Sequence, residues 1–221
     1  MKTTTITISF GAVLLCLISP FSFGKVLAVW DFGPSSAFYT TDPAYFNLAA
    51  KPAFIMTGGD IDANGKNGVD FTDADGVFHA AGQGAAWDDV NKSGADNDAA
   101  LTITMNTTGW TLLGLRWDYR SEEAVSFDID YRLSETATWI SIVNNQRITA
   151  DDTFHAVTID LSPFAVLSDQ PFVQFLISDL DEGDGNNRYI FDNLQFTGVP
   201  EPTTLSLLLL GAAMGLRRHP S

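Results

Sequence analysis

The nine residues Val125-Ser126-Phe127-Asp128-Ile129-Asp130-Tyr131-Arg132-Leu133 alternate between apolar and polar side chains without a break. Successive side chains of a β-strand point to opposite faces of the sheet, so a period of two separates the apolar set from the polar set. The apolar set then faces a core and the polar set faces water. The stretch predicts a β-strand with one buried face.

Seven further runs carry a comparable pattern, and short turn-rich stretches separate them. The predicted strands are 26–32, 101–105, 110–119, 139–143, 154–161, 172–178 and 189–196. The separating stretches are 94–97, 134–137, 151–152, 168–171 and 181–187. A long amphipathic helix pattern is absent from this region of the sequence. Strands with one wet face bury the other by pairing two sheets, so residues 25–198 are predicted to form one all-β domain, an antiparallel β-sandwich.

The N-terminal end has the three regions of a secretory signal peptide. Lys2 gives a positive start, 6–18 is a mostly apolar run, and 19–24 is an exit rich in small residues. The apolar run is too short for a comfortable membrane span. We expect residues 1–24 to be a signal helix that is removed after Gly24, with cleavage after Ala28 as the alternative.

The C-terminal end has an uncharged, leucine-rich segment at 203–216, which Arg217 and Arg218 terminate. An apolar segment that ends in arginines is typical of a transmembrane helix whose positive end stays in the cytoplasm. Fourteen residues give a helix of roughly 21 Å, which is shorter than a hydrocarbon core of about 30 Å. The segment therefore predicts a short transmembrane helix that is held in the inner membrane transiently.

The tail from 199 to 221 resembles the PEP-CTERM sorting signal of exported bacterial proteins. The matching elements are Pro200-Glu201-Pro202, the leucine-rich segment and the pair Arg217-Arg218. The resemblance implies that an exosortase-type membrane protease recognises this motif and cuts nearby. The alternative is a permanent anchor that no protease removes. Either outcome implies an exported protein of the cell envelope, the cell surface or the extracellular space.

The charge of the central region excludes one class of partner. Of the 27 acidic residues only Glu201 lies outside 25–198, whereas Lys2, Arg217 and Arg218 of the 12 basic residues lie at the ends. The central region carries 26 acids and 9 bases, a net charge of −17. Nucleic-acid binding needs a positive field, so a nucleic-acid partner is excluded.

Residue types that carry hydrolytic chemistry are scarce. The one cysteine, Cys16, lies in the leader, and His79 and His155 are the only histidines of the domain. The glutamates of the domain lie in or beside predicted turns and are Glu122, Glu123, Glu135 and Glu182. A turn is a poor place to raise the pKa of a glycosidase acid. The sequence predicts a non-catalytic protein, and a secreted polysaccharide hydrolase is the weaker alternative.

Two acidic stretches suggest structural calcium. Asp60, Asp62 and Asn64 alternate before Gly65, as in the first half of a calcium loop, and Asp70 lies one residue short of the twelfth position. A second cluster in the loop before the last predicted strand contains Asp179, Asp181, Glu182 and Asp184. The alternative for each stretch is an acidic turn that binds no metal.

The order of features along the domain resembles jelly-roll domains related to carbohydrate-binding modules. The matching segments are Val29-Trp30-Asp31-Phe32, Leu115-Arg116-Trp117-Asp118-Tyr119-Arg120-Ser121 and Phe191-Asp192-Asn193-Leu194-Gln195-Phe196-Thr197-Gly198. The resemblance implies a jelly-roll sandwich. It also implies a third calcium site, in which an early-strand acid and a last-strand acid, Asp31 and Asp192, share the ion.

An exposed tryptophan could stack on a sugar ring. Trp30 and Trp117 lie in apolar strands and are predicted to be buried, whereas Trp87 lies in a polar stretch beside Gly84 and is the predicted sugar contact. Taken together, the sequence predicts a non-catalytic exported protein of the cell surface or extracellular matrix. A carbohydrate-binding module with a polysaccharide partner is the alternative.

Overall fold

The computed structural model describes residues 24–33, 41–58, 60–88, 99–122, 126–180 and 188–201. Within these residues the chain forms fourteen β-strands and a 3-10 helix at Ala165–Leu167. The strands are β1 (Lys25–Trp30), β2 (Tyr45–Phe46), β3 (Ala53–Thr57), β4 (Asp60–Asn67), β5 (Phe71–Thr72), β6 (Phe78–His79), β7 (Gln83–Asp88), β8 (Ala100–Met105), β9 (Trp110–Ser121), β10 (Ser126–Arg132), β11 (Ile140–Arg147), β12 (His155–Asp160), β13 (Val173–Ser178) and β14 (Tyr189–Pro200).

The strands form two antiparallel sheets and one small hairpin. A seven-stranded sheet has the order β12-β9-β14-β1-β2, with β7 joined to β14 and β4 joined to β7. A five-stranded sheet has the order β11-β10-β13-β8-β3, and β5 pairs with β6 alone. The strands β1-β14-β9-β12 of one sheet and β8-β13-β10-β11 of the other follow the order of a jelly roll, which is built from two Greek keys. The predicted all-β sandwich is confirmed.

All eight strands that the sequence predicts are present. The decisive stretch forms β10, in which Phe127, Ile129 and Tyr131 are buried while Asp128 and Asp130 are half-buried on the opposite side. The strand starts at Ser126, and residues 123–125 lie outside the described part. Period-two alternation is therefore a sufficient signal where one face of a strand meets a core.

The two sheets meet through aromatic side chains. Trp117 of β9 stacks on Phe191 of β14 at 5.5 Å between ring centroids. The edge of Phe127, which comes from β10 in the other sheet, approaches Trp117 at 5.2 Å. All three side chains are fully buried. Offset and edge-on aromatic pairs are favourable beyond their buried area, so this cluster ties the sheets together.

Strands β3, β4 and β7 were missed because local pattern does not favour them. Ile55 is apolar yet points outward from β3 and is 53% exposed, which breaks the alternation. Strand β4 has the Asp, Asn and Gly composition of a turn, and β7 contains Gly84-Ala85-Ala86. Residues of these types are depleted in strands, and tertiary pairing overrides that preference here.

A β-bulge in β1 turns one hydrophobic pair outward. Val26 pairs with Thr197 and Ala28 pairs with Phe196, so Leu27 is the extra residue. The bulge leaves Val26 and Val29 on the outer side of the seven-stranded sheet, where they pack with Phe71 in a second buried cluster. Phe71 belongs to the β5–β6 hairpin, so this hairpin covers part of that sheet's outer face.

Most of the two predicted end segments lies outside the described residues, which include only Gly24 of the leader and Val199, Pro200 and Glu201 of the tail. The expected transmembrane helix at 203–216 and the residues Pro202, Arg217 and Arg218 also lie outside them. In the part of the chain that the structure describes, no helix has the length and apolar character of a membrane span.

Candidate functional site

The first two residues of the predicted sorting motif continue the last strand. Pro200 pairs with Trp110 in the ladder between β14 and β9. The backbone N–H of Glu201 donates to the carbonyl of Gly109 at 2.8 Å, and the Thr111 hydroxyl donates to Oε1 of Glu201 at 3.3 Å. The domain therefore extends up to Glu201, and any cleavage that spares the fold falls beyond it.

The predicted calcium loop at 60–65 is a strand. These residues belong to β4, which pairs with β7 on both sides of an irregularity between Asp62 and Lys66. Asp62 forms an ion pair with Lys66, and Asp70 is exposed beyond the end of the strand. A strand stands where the sequence predicts a loop, because acids at alternate positions also fit the period of a strand, and calcium at these residues stays a prediction. The side chains of Asp60 and Asn64 lie outside the described part.

The second acidic cluster is described only at its start. Asp179 is exposed and has a positive φ of 59°, which marks the turn that leaves β13. Asp181, Glu182 and Asp184 lie outside the described residues. Calcium at this loop stays a prediction.

The third pair, Asp31 and Asp192, lies in a buried polar cluster beneath the segment 68–82. Asp192 is 1% exposed and accepts hydrogen bonds from the backbone N–H of Val69 at 2.7 Å and of Asn193 at 2.8 Å. A Cβ on Gly68 would stand 2.2 Å from the Asp192 carboxylate, so only glycine permits this approach. The 68–82 segment is thus bonded to the centre of β14.

Asn193 extends the cluster from β14 to β9. Its side-chain amide donates to the Val69 carbonyl at 2.8 Å and to Oδ2 of Asp118 at 2.9 Å. Arg116 donates to the other oxygen of Asp118 at 2.7 Å and lies over the ring of Phe71. Buried polar groups that are hydrogen-bonded in this way specify one arrangement of the chain.

His79 completes the cluster from the hairpin side. Its Nε2 lies 3.1 Å from Asp73 and its Nδ1 lies 3.5 Å from Asp31, while its ring stacks on Phe71 at 4.7 Å. Asp73 also accepts from the backbone N–H of Val77 at 2.9 Å, which closes the hairpin turn. Both nitrogens of this histidine therefore face carboxylates that hold the hairpin in place.

Burial sets the protonation of the cluster. Burial raises the pKa of Asp192 to about 7, against the hydrogen bonds from Val69 and Asn193, and the nearby carboxylates of Asp118 and Asp31 raise it further. The pKa of Asp118 is also raised by burial, while its bonds to Asn193 and Arg116 lower it. Burial, which disfavours the charged form of a carboxyl group, is the common cause of both shifts.

The carboxylate oxygens of Asp31 and Asp192 do not form a coordination shell that fits calcium. Calcium collects about six to eight oxygens. Both Asp192 oxygens already accept backbone N–H groups, and Oδ1 of Asp31 accepts from Gly33 at 3.2 Å. Among the described residues no group of three or more His, Cys, Asp or Glu side chains is arranged to hold a metal ion.

The predicted sugar contact Trp87 is wrong. Its side chain is fully buried in β7, its indole N–H donates to the Thr57 carbonyl at 3.3 Å, and its ring meets Phe191 edge-on at 5.8 Å. A ring inside the core has no face to offer a ligand. The prediction failed because pairing of β7 with β14 encloses a stretch that reads as a polar loop. The predicted burial of Trp30 and Trp117 is confirmed.

Trp139 takes the surface position that was expected of Trp87. It is half-buried, and the Arg132 guanidinium lies over its ring at 4.4 Å. Nε of Arg132 also donates to Oε1 of Gln174 at 2.6 Å, and Nε2 of Gln174 donates to the Thr104 hydroxyl at 2.8 Å. A row of fixed polar side chains therefore runs from Trp139 across β10 and β13 to β8.

This row belongs to what we call the outer face of the five-stranded sheet. Its members alternate with buried core residues and are half-buried or exposed. They are Ala53, Ile55 and Thr57 on β3, Thr102 and Thr104 on β8, Asp128, Asp130 and Arg132 on β10, and Gln174, Leu176 and Ser178 on β13. Burial and the neighbouring Asp128 raise the pKa of Asp130. The face offers hydroxyl, amide, guanidinium and carboxylate groups on a rigid support.

A groove opens at the β11 edge of the sandwich, where the chain crosses from β11 to β12. Its volume is about 290 Å³. The floor contains Tyr119 and Phe127 of β9 and β10, and Gln146, Arg147 and Thr149 are among the polar residues that line it. The backbone N–H of Thr149 donates to the Tyr119 hydroxyl at 2.9 Å, which fixes this side of the groove.

His155 lies in a polar contact that does not match a hydrolytic triad. Its Nε2 is 2.8 Å from Oδ1 of Asp151 and 3.0 Å from the Thr153 hydroxyl, so one nitrogen meets both groups. A triad needs the orienting acid on one ring nitrogen and the nucleophile on the other. The arrangement caps the start of β12.

No protein-family model matches the chain, and no curated protein matches it. The solved structures that are similar to it include family 29 carbohydrate-binding modules. One is 15% identical, with 66% of this chain and 93% of that chain covered at a TM-score of 0.36. Another is 14% identical, with 69% and 92% covered and a TM-score of 0.36. A third, solved with mannohexaose, is 14% identical, with 69% and 95% covered at a TM-score of 0.36.

We expect Asp192→Asn to remove a pH dependence of stability. The folded pKa of about 7 lies above the ordinary value of 3.8, so folding takes up a proton between about pH 4 and pH 7. The wild type then loses stability as the pH rises through this window and is unaffected by this group above it. From pH 5 to pH 8 the variant should gain about 2–3 kcal/mol relative to the wild type.

Urea unfolding at pH 5, 6, 7 and 8 measures this difference. Asn keeps one acceptor oxygen, so the variant loses one hydrogen bond at every pH and its curve is offset by a constant. Parallel curves for the two proteins would contradict the raised pKa of Asp192.

Calcium at the 179–184 loop has a simple test. If Asp179, Asp181 and Asp184 share an ion, calcium added to EDTA-treated protein raises the melting temperature, because a ligand that binds only the folded state stabilises it. The variant Asp181→Asn should lose this response. An unchanged melting temperature in the wild type would end the calcium hypothesis.

Proposed function

We propose that the chain is an exported, non-catalytic polysaccharide-binding protein whose ligand lies across the outer face of the five-stranded sheet. This is the function that the sequence left as its alternative. It is compatible with the main prediction from the sequence, a non-catalytic protein of the cell surface or extracellular matrix, because a protein that binds a polysaccharide is retained in such a matrix.

The observation that carries the proposal is the fixed position of Arg132 between Trp139 and Gln174. The cation lies over one side of the indole at 4.4 Å, and Nε is bonded to the amide at 2.6 Å. Because Arg and Trp are ordered before any ligand arrives, binding loses little side-chain entropy at these residues. Aromatic rings and polar groups that are ordered in advance are typical of binding sites.

The chemistry of the outer face suits a polyhydroxylated ligand. Thr104, Gln174 and Asp130 lie on three adjacent strands and carry a hydroxyl, an amide and a carboxylate. Sugar hydroxyls donate and accept hydrogen bonds, so a mixed set of donors and acceptors matches them. An apolar patch at Leu176 and Ile55, opposite Thr102 in the ladder, offers contact to the C–H side of a sugar ring.

Export and sorting form the second part of the proposal. The 1–24 leader supports secretion, and the motif Pro200-Glu201-Pro202 with the apolar segment 203–216 and Arg217-Arg218 supports transient inner-membrane anchoring and cleavage by an exosortase-type protease. The hydrogen bond between Glu201 and Gly109 supports cleavage beyond Glu201, because the residues that the fold uses end there and the segment to be removed follows them in the chain.

We expect Trp139→Ala to lower polysaccharide affinity about tenfold or more, since the change removes the stacking surface and frees Arg132. The measurement is a glycan array followed by affinity electrophoresis of the wild type and the variant. Phe78→Ala is the control, because Phe78 is 63% exposed on the β5–β6 hairpin, away from the outer face, and should keep wild-type affinity.

Three outcomes oppose the proposal. Undiminished binding by the Trp139 variant would exclude this face. Equal losses in both variants would point to a general effect on the fold. Release of reducing sugar from the bound polysaccharide would favour the hydrolase alternative over a non-catalytic role.

Mass spectrometry of the protein from its native cell tests export and sorting together. We expect an N-terminus at Lys25, and a C-terminus that lies beyond Pro200 but before Arg217. A cut before Pro200 would remove residues that pair with β9. A mature protein that retains Arg217-Arg218 would contradict sorting, and retention of Met1 would contradict export.

A further inference from the structure

The groove at the β11 edge differs in charge from the rest of the domain. Ten residues line it, and Arg147 is the only charged one among them. No Asp or Glu lines the groove, although the region 25–198 carries 26 acids against 9 bases. A single cation with no acid among the lining residues makes this groove less negative than the rest of the domain.

Arg147 also lacks the kind of partner that the other basic side chains have. The structure describes eight lysines and arginines, and seven of them have a polar side chain as a partner. The pairs are Lys25 with Asp75, Lys51 with Asp42, Lys66 with Asp62, Arg116 with Asp118, Arg120 with Asp152, Arg132 with Gln174, and Arg188 with Glu122. Within the described residues, no hydrogen bond or ion pair involves the Arg147 guanidinium.

Strand register puts Arg147 at the junction of the groove and the outer face. It pairs with Ser126, and Ser126 alternates with the buried Phe127, so Arg147 is on the same side of the sheet as Asp128. The neighbouring Gln146 pairs with Phe127 and is therefore on the groove side. A polymer that crosses the outer face toward β11 would reach Arg147 and then the groove.

The free donors of Arg147 define the chemistry of a ligand. A guanidinium presents five N–H donors in a planar fork, which matches the two oxygens of a carboxylate. A volume of about 290 Å³ lies at the lower limit for ligand pockets, which suits one sugar ring and not an oligosaccharide. The half-buried side chains of Val157 and Ile159 would meet the ring while Gln146 and Thr149 meet hydroxyls.

We propose that the groove between β11 and β12 binds the ring of one uronic acid unit of the polysaccharide, and that the carboxylate of this unit lies at the β11 edge, where Arg147 of the outer side holds it. The inference rests on the proposed function and adds the class of sugar. Beyond the groove the protein is acidic, yet the Debye length of about 8 Å at physiological salt limits its repulsion of an anionic chain. Specificity for a carboxylated sugar then resides in Arg147.

Calorimetric titration with uronic acid oligosaccharides tests the proposal. The matched ligand is the same oligosaccharide after reduction of each carboxyl group to a primary alcohol. We expect the wild type to bind the acidic form at least tenfold more tightly, and Arg147→Met to abolish this preference. Arg147→Lys keeps the charge but loses the fork, so it should restore only part of it.

Arg120→Met is the matched control, because it removes the same charge from a residue that lines neither the groove nor the outer face. It should retain the wild-type preference, and circular dichroism should show that all variants fold. Equal binding of the acidic and reduced oligosaccharides, or an Arg147→Met variant that keeps the preference, overturns the inference.

The outcomes also separate this inference from the proposed function. A reduced or neutral glycan that binds as well as the acidic one, with loss in Trp139→Ala and no change in Arg147→Met, overturns the uronic acid site and leaves the binding face standing. Absence of any glycan binding by the wild type overturns both.

Discussion

The contact among Trp117, Phe191 and Phe127 is the interaction on which the rest of the structure depends. Two of these rings come from adjacent strands of the seven-stranded sheet and the third comes from the opposite sheet. Sheets in a sandwich make no backbone hydrogen bonds to each other, so only side chains on the inner faces hold them together. A fully buried aromatic cluster gives that contact a large area and a defined geometry. Once the sheets are joined, each has one remaining face.

Those remaining faces differ in what they do. The outer side of the seven-stranded sheet receives the 68–82 segment, which is held by hydrogen bonds from Val69 and Asn193 to a buried carboxylate cluster. Its polar groups are engaged in tying the chain to itself. On the five-stranded sheet, the row from Trp139 through Arg132 to Gln174 engages side chains with one another at the surface. Rigid polar groups at a surface are available to a ligand, whereas the same groups under a hairpin are not.

Because acidic residues are in excess, a basic side chain without an acidic partner is unusual in this domain. With about three acids for each base in the domain, a lysine or arginine finds an acidic partner easily, and such pairs at the surface add little stability. Arg116 and Arg132 have contacts that orient neighbouring groups, but Arg147 has none within the described residues. Among the residues that the structure describes, Arg147 makes no polar side-chain contact and lies at the edge of a groove that no Asp or Glu lines. Its guanidinium is therefore a better indicator of the chemistry of a ligand than any of the 26 carboxylates.

The sequence by itself determined the strands whose side chains alternate, including β10, the antiparallel sandwich that they imply, and the wet positions Asp128, Asp130 and Arg132. These follow from short-range periodicity, which needs no knowledge of neighbours. Only the tertiary structure decided that Trp87 is buried, that 60–65 is a strand and that Arg132 lies between Trp139 and Gln174. The bond from Val69 to Asp192 joins residues 123 positions apart. Such contacts depend on which strands pair, and a local pattern records the face of a strand but not its partner.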